Sequence, residues 1–160
     1  MILQYVGFQN SGKTTAMEWT IQQLTEKGYN VIAVKHHGHG GIPDNIVKDS
    51  TKYSDAGAVA SIVEGEGVLH LEITNQKWDI EKIHMLLSCL NYDLLLIEGY
   101  KQEQFPKVVF TRSERDLDQL QFLSNIHSII PFCDQLADKK AYINKLVAWI
   151  EQELPKRKLV

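Results

Sequence analysis

Eight residues, Gly7 to Thr14 in the order GFQNSGKT, carry the chain's most specific chemistry. Glycine, four free positions, glycine, lysine and a hydroxyl residue are the spacing of a phosphate-binding loop. Gly7 and Gly12 let the backbone take positive φ and come close to an anion, so that successive N–H groups, those of Asn10 and Ser11 among them, converge on phosphate oxygens. Lys13 would reach the β- and γ-phosphates, and the Thr14 hydroxyl would ligate the Mg²⁺ that bridges them. Thr15 completes the binding set while capping or packing the first helical turn.

A second landmark is DLLLIEGY, Asp93 to Tyr100, an apolar run closed by a carboxylate and a glycine. Glu98 then stands where a Walker B acid stands, at the carboxyl end of a strand, where it can hold a Mg²⁺-bound water or orient an attacking one. The plainer alternative is a buried strand that ends in an exposed glutamate. Asp93, at the other end of that strand, is the weaker candidate. A third stretch, HHGHGGIPDNIVKDS from His36 to Ser50, has neither helical nor strand period and reads as a functional loop. His36, His37 and His39 could bind a transition metal through imidazole nitrogens, could line the phosphate or substrate side of the site, or could be solvated.

These residues need a scaffold that brings them to one edge. Met1 to Val6 is a short apolar run of strand type, Thr15 to Lys27 places Met17, Ile21 and Leu24 at helical spacing, and Gly28 stops that helix. Asn30 to Lys35 follows as a second buried strand, which makes a βαβ unit whose loops at the carboxyl ends of the strands collect function. Asp49 or Ser50 caps a short helix ending at Gly57. Ala58 to Val63 and Val68 to Ile73, joined by EGEG, read as a β-hairpin inserted at about 58–74, either extending the main sheet at an edge or pairing with another subunit. Asn75 to Leu90 has Ile80, Ile83, Leu86, Leu87 and Leu90 on one face and reads as a crossover helix in which His84 is exposed or structural. Lys107 to Thr111 is a further strand, Ser113 to Leu120 a short helix, Ile126 to Pro131 a last strand and Ala137 to Leu154 a closing amphipathic helix. The expected fold is α/β, a three-layer P-loop NTPase with a mostly parallel central sheet and an inserted hairpin.

The 160 residues, 44% hydrophobic and 23% charged, suit a single nucleotide-binding domain over 1–160. A net charge of −3, with KRK near the end as the only basic cluster, gives no nucleic-acid footprint. No apolar run approaches the roughly 18 residues of a membrane span, and no secretory leader is visible, so a cytosolic protein is expected. Cys89 and Cys133 lie in or beside apolar runs and are expected to be buried free thiols.

Taken together, GFQNSGKTT, VKHHGH, KDS followed by AGA, and IEGYK before PKVVFTR resemble the molybdopterin-guanine dinucleotide biosynthesis protein B (MobB) family through about Arg112. The resemblance implies a dimeric P-loop protein that binds GTP with Mg²⁺, hydrolyses it slowly and assists the attachment of GMP to molybdopterin. The transfer itself would belong to a guanylyltransferase partner, with a molybdenum-insertion protein nearby and direct contact with molybdopterin possible. Carried onto this sequence, Gly7 to Thr14 holds phosphates, Thr14 and Glu98 serve Mg²⁺, and Asp49 with the histidine loop, His37 included, approaches the γ-phosphate or a partner. Lys13, Glu98 and Asp49 form the implied catalytic set, and the hairpin becomes the dimerising element.

No NKxD signature is present to select guanine, so GTP over ATP rests on the resemblance. Arg112, Arg115 and Arg157 are the only arginines, and Arg112 and Arg115 are candidates for base-side or surface contacts. A small-molecule kinase using the same loop is one alternative, although its usual lid is rich in arginine. A nickel-insertion type GTPase, with the histidine loop as its metal site, is another.

Overall fold

A computed structural model describes residues 1–37, 51–74, 76–133 and 136–155. The elements are β1 (Ile2–Gly7), α1 (Lys13–Glu26), β2 (Val31–Lys35), α2 (Thr51–Asp55), β3 (Ala60–Gly65), β4 (Val68–Ile73), α3 (Ile80–Leu87), β5 (Leu94–Glu98), β6 (Lys107–Phe110), α4 (Glu114–Leu120), β7 (Ile126–Ile130) and α5 (Leu136–Glu153). By contact they group into two units, Met1–His39 with Leu90–Val160, and Gly40–Cys89.

The first unit is built on a five-stranded sheet in the order β2-β5-β1-β6-β7, every pair parallel. A parallel strand is covered on both faces, which is why LLLIE in β5 is buried along its whole length without alternating. On one face Leu3, Tyr5, Leu94, Leu96, Val108 and Phe110 pack with Ala16, Met17 and Leu24 of α1 and with Ile143, Leu146, Val147, Ile150 and Leu154 of the α5 segment. On the other, Val6 and Val109 meet Leu120 of α4. The α/β architecture with a mostly parallel sheet is as expected.

Several polar side chains inside this unit are paired. Tyr5 Oη and Thr20 Oγ1 lie 2.8 Å apart, both residues fully buried, tying β1 to α1 on either side of the glycine loop. Burial pushes the Tyr5 phenol up, only partly offset by that bond. Lys107 is buried in β6 because its ammonium donates to the carbonyls of Glu103 and Phe105; desolvation lowers its pKa, against the pull of Glu103. Asp93 accepts the backbone N–H of Asn30 at 2.7 Å and so aligns the start of β5 with that of β2.

In the second unit β3 and β4 pair antiparallel through a two-residue turn at Glu66 and Gly67, whose φ values of 50° and 78° are those of a type I′ hairpin. Among the described residues the hairpin forms its own two-stranded sheet and does not extend the main one. The helix expected from Asn75 begins only at Ile80: Asp79 caps it by accepting the Lys82 N–H at 2.8 Å, so the preceding residues are outside it. Only Ile80 of its apolar face is buried, while Leu86 and Leu90 are exposed. The two cysteines are free but not buried as expected: Cys89 is exposed and Cys133 half-buried. Apolar neighbours in sequence do not bury a thiol when those neighbours, here Leu86 and Leu90, are themselves uncovered.

Among the described residues no helix is long and apolar enough to cross a membrane.

Candidate functional site

The site lies at the carboxyl ends of β1, β5 and β2, as expected for an open parallel sheet. A cleft of about 870 Å³ opens there, lined by the glycine loop together with Lys35, His36, His37, Glu98 and the turn that follows it.

The loop has the backbone that an anion cradle needs. Asn10 and Gly12 take φ of 61° and 83°, and α1 starts at Lys13 with Gly12 as its N-cap and no side-chain cap, which leaves its first N–H groups for a ligand. Gly7 is forced by close approach, since a Cβ there would collide with the Phe110 carbonyl oxygen and stand 2.8 Å from Ser11 Oγ; Gly12 is required by its positive φ, the Lys139 ammonium beside it being the movable end of a flexible side chain. Thr15 is exposed and lines the cleft.

Lys13 Nζ donates to the Phe8 carbonyl at 2.6 Å and to Ser11 Oγ at 3.3 Å, folded back over its own loop. Burial lowers its pKa; Glu98 opposes that shift, and Lys101, Lys35 and Arg112 add to it. Cations thus gather around Lys13 with few counter-charges, the electrostatic state that a polyanion relieves.

Thr14 Oγ1 donates to both oxygens of Glu98, at 3.2 and 3.0 Å. Glu98 is 8% exposed, so the reading of an ordinary exposed glutamate does not hold. A hydroxyl and a carboxylate in contact at the mouth of the cradle fit a hard divalent cation, which takes oxygen ligands and keeps several waters. Lys35 Nζ approaches Glu98 Oε2 at 3.7 Å, but its side chain is 61% exposed and the pair adds little.

The histidines behave differently from one another. The His36 N–H donates to the Glu98 carbonyl at 2.9 Å, and its ring lies 4.3 Å from that of Tyr100. Gly99, at φ +99°, is needed beneath it, because a Cβ there would stand 3.0 Å from His36 Cβ. His37 is exposed and lines the cleft. His39 and Asp49 lie outside the described residues, among which no group of three metal-ligating side chains is assembled.

Two contributors escape a reading of motifs. Gln4, fully buried in β1, donates from Nε2 to the carbonyls of Gly99 and Tyr100 at 3.1 and 2.7 Å, holding the turn just past Glu98. Arg112 is bound to Asp116 and to the loop carbonyl of Gln9. A polar residue inside an apolar strand is the only sequence signal for the first; an arginine four residues before an aspartate, across the start of a short helix, is the only one for the second. Arg115 is exposed on α4.

The family model described as molybdopterin guanine dinucleotide synthesis protein B matches residues 2–133. The chain belongs to the MobB family. A relative from Bacillus subtilis, named a probable molybdopterin-guanine dinucleotide biosynthesis adapter protein, is 45% identical over 131 residues, 81% of this chain and 75% of that protein. Among solved structures, Bacillus subtilis MobB superposes with a TM-score of 0.79 at 34% identity, covering 98% of this chain and 99% of that one. A MobB homologue from Bacillus stearothermophilus gives 0.76 at 36% identity, over 94% and 98%. In this chain the glycine loop follows β1, the central strand of the β2-β5-β1-β6-β7 sheet.

Proposed function

We propose that this chain is a GTP-binding accessory protein that assists molybdopterin guanine dinucleotide formation in molybdenum cofactor biosynthesis. The observation that carries the reading is the meeting of Thr14 and Glu98 beside the Gly7 to Thr14 cradle, in a chain of the MobB family. The fit supports a nucleoside triphosphate with Mg²⁺. Loop amides and the start of α1 would hold the phosphates, and Lys13, released from the Phe8 carbonyl, would turn to them. Bound Mg²⁺ would supply charge neutralisation at the β- and γ-phosphate oxygens. Thr14 would be its protein ligand, with Glu98 orienting Thr14 or a metal-bound water.

Slow hydrolysis follows from the arginines. Arg112 is committed to Asp116 and Gln9, and Arg115 is exposed, so neither is free in the cleft to stabilise a transferring phosphoryl group. The same fact weighs against a kinase. The choice of GTP over ATP rests on the family alone. Asp49 and the histidine loop are assigned to the γ-phosphate side or to a partner.

The hairpin supports a homodimer. Ile62, Leu69 and Leu71 occupy one face of a two-stranded sheet and are exposed, neither strand pairs with a third among the described residues, and a two-stranded hairpin by itself is only marginally stable in water. The guanylyltransferase and the molybdenum-insertion protein are the partners this role calls for, in the cytoplasm.

The decisive experiment adds the purified protein with GTP and Mg²⁺ to an extract that lacks this component and measures molybdopterin guanine dinucleotide. Formation restored, with GTP turnover slower than about one per minute, is the expected result. Phosphoryl transfer to a small acceptor at ordinary kinase rates would overturn it.

A further inference from the structure

Arg112 follows Thr111 just beyond the end of β6, and its side chain reaches back to the glycine loop. Its backbone N–H and its Nε both donate to Asp116 Oδ2 at 2.8 Å, and Nη2 donates to Oδ1 at 2.9 Å. The Asp116 side chain is 6% exposed, so this carboxylate depends on that fork. The remaining nitrogen, Nη1, donates to the Gln9 carbonyl at 3.2 Å, and the guanidinium carbon lies 5.0 Å from the centre of the Phe8 ring. Phe8 itself packs on Val6, Val109 and Leu120. One side chain therefore touches two consecutive loop residues while anchored to α4.

The next residue, Asn10, holds a left-handed φ of 61°, a region that asparagine enters more readily than other non-glycine residues, so the turn itself is accessible and its orientation depends on how the flanking carbonyl is held. Across the trans peptide between Gln9 and Asn10 the carbonyl and the N–H point in opposite directions. Fixing the Gln9 carbonyl outward on Arg112 therefore fixes the direction of the Asn10 N–H, one of the amides of the cradle. An ammonium could pair with Asp116, but it lacks the planar fork that grips both carboxylate oxygens and still presents a third donor to the loop.

We propose that Arg112, held by Asp116, is a positioning residue that sets the Phe8 to Asn10 half of the loop in its anion-binding conformation before any ligand arrives. Its guanidinium is a structural clamp on the loop backbone and reads no base. The inference rests on the reading of this loop as a phosphate cradle, and its first test needs no ligand.

Amide hydrogen exchange of the ligand-free full chain, followed in peptides covering residues 8–14, is compared between wild type, Arg112→Ala and Arg112→Lys. Exchange in the loop should rise roughly tenfold in both variants, the effect of losing one charge-assisted hydrogen bond. Arg112→Lys keeps the charge beside Asp116 and tests the clamp if the alanine variant fails to fold. Calorimetric titration with inorganic triphosphate and with GTP should then show both affinities falling by the same factor. Unchanged loop exchange overturns the proposal, as does a rise confined to β6 and α4. A loss of GTP affinity with triphosphate affinity intact overturns it too, because it would make Arg112 a base contact. Wild-type protein that binds neither ligand would defeat the proposed function, while the exchange comparison would still decide the role of Arg112.

Discussion

The bond between Tyr5 and Thr20 gives a sharp quantitative test, because both hydroxyls are fully buried and satisfy each other at 2.8 Å. Tyr5→Phe leaves the Thr20 hydroxyl without that partner, and Thr20→Val leaves the phenol without it. Each should cost about 1–3 kcal/mol, the penalty of a buried polar group left unsatisfied. In a chain of 160 residues that is a fall in Tm of roughly 2–12 °C. The double variant replaces both partners by apolar groups of similar shape and should cost distinctly less than the sum of the singles. Urea unfolding at neutral pH measures the cycle; burial raises the Tyr5 phenol, so no phenolate complicates it. Singles that add to within about 0.5 kcal/mol would refute the reasoning, because they would mean that the hydroxyls act independently.

Lys13→Ala should abolish triphosphate binding in a calorimetric titration, whereas His37→Ala should leave it intact; stoichiometric zinc or nickel lost with His37→Ala would instead favour a metal-insertion role. Glu98→Gln keeps the size of the side chain but removes the charge that Thr14 donates to, so Mg²⁺ affinity of the nucleotide complex should fall about 10–100-fold, read by titrating Mg²⁺ against bound nucleotide. The Arg112 hydrogen bonds hold Asp116 at about 2, below the roughly 3.9 of an unfolded aspartate. A depressed folded pKa contributes stability that is present above the unfolded value and is lost as pH falls toward 2; the urea midpoint of wild type should drop across that window more steeply than that of Asp116→Asn. Ile62→Asp should turn a dimer into a monomer in sedimentation, with the helical circular dichroism unchanged.

The parts of the site that chemistry dictates were legible from residue types and spacing. Lysine after glycine, a hydroxyl next to it and an acid closing an apolar strand are residue types that suit phosphate and a divalent cation, and the structure brings Thr14 and Glu98 into contact. What was not legible was the support. Gln4 interrupts an apolar strand, and nothing local says that it is buried against particular carbonyls, because those of Gly99 and Tyr100 arrive from far along the chain; Lys107, at the head of β6, bonds to the nearby carbonyls of Glu103 and Phe105, which apolar patterning does not report. The hairpin was visible through its turn, since Glu66 and Gly67 suffice to reverse the chain, but its pairing outside the main sheet depends on no residue within it. The expected start of α3 at Asn75 lies five residues early: the apolar periodicity itself begins at Ile80, and Asp79 caps the helix there. Exposed Cys89 shows the reverse limit: apolar composition predicts what can be buried, not what is.

The family match ends at residue 133, yet α5 begins only at Leu136. Recognition and folding therefore draw on different stretches of the chain. A fragment trimmed to the recognisable part would keep the glycine loop and lose Ile143, Leu146, Val147 and Ile150, which close one face of the sheet, as well as Lys139, whose ammonium rests against Gly12. Such a fragment would carry the signature of a nucleotide-binding protein and expose the underside of its own cradle. Boundaries for expression or for grafting this module onto another protein belong after Leu154, where the last core side chain is placed.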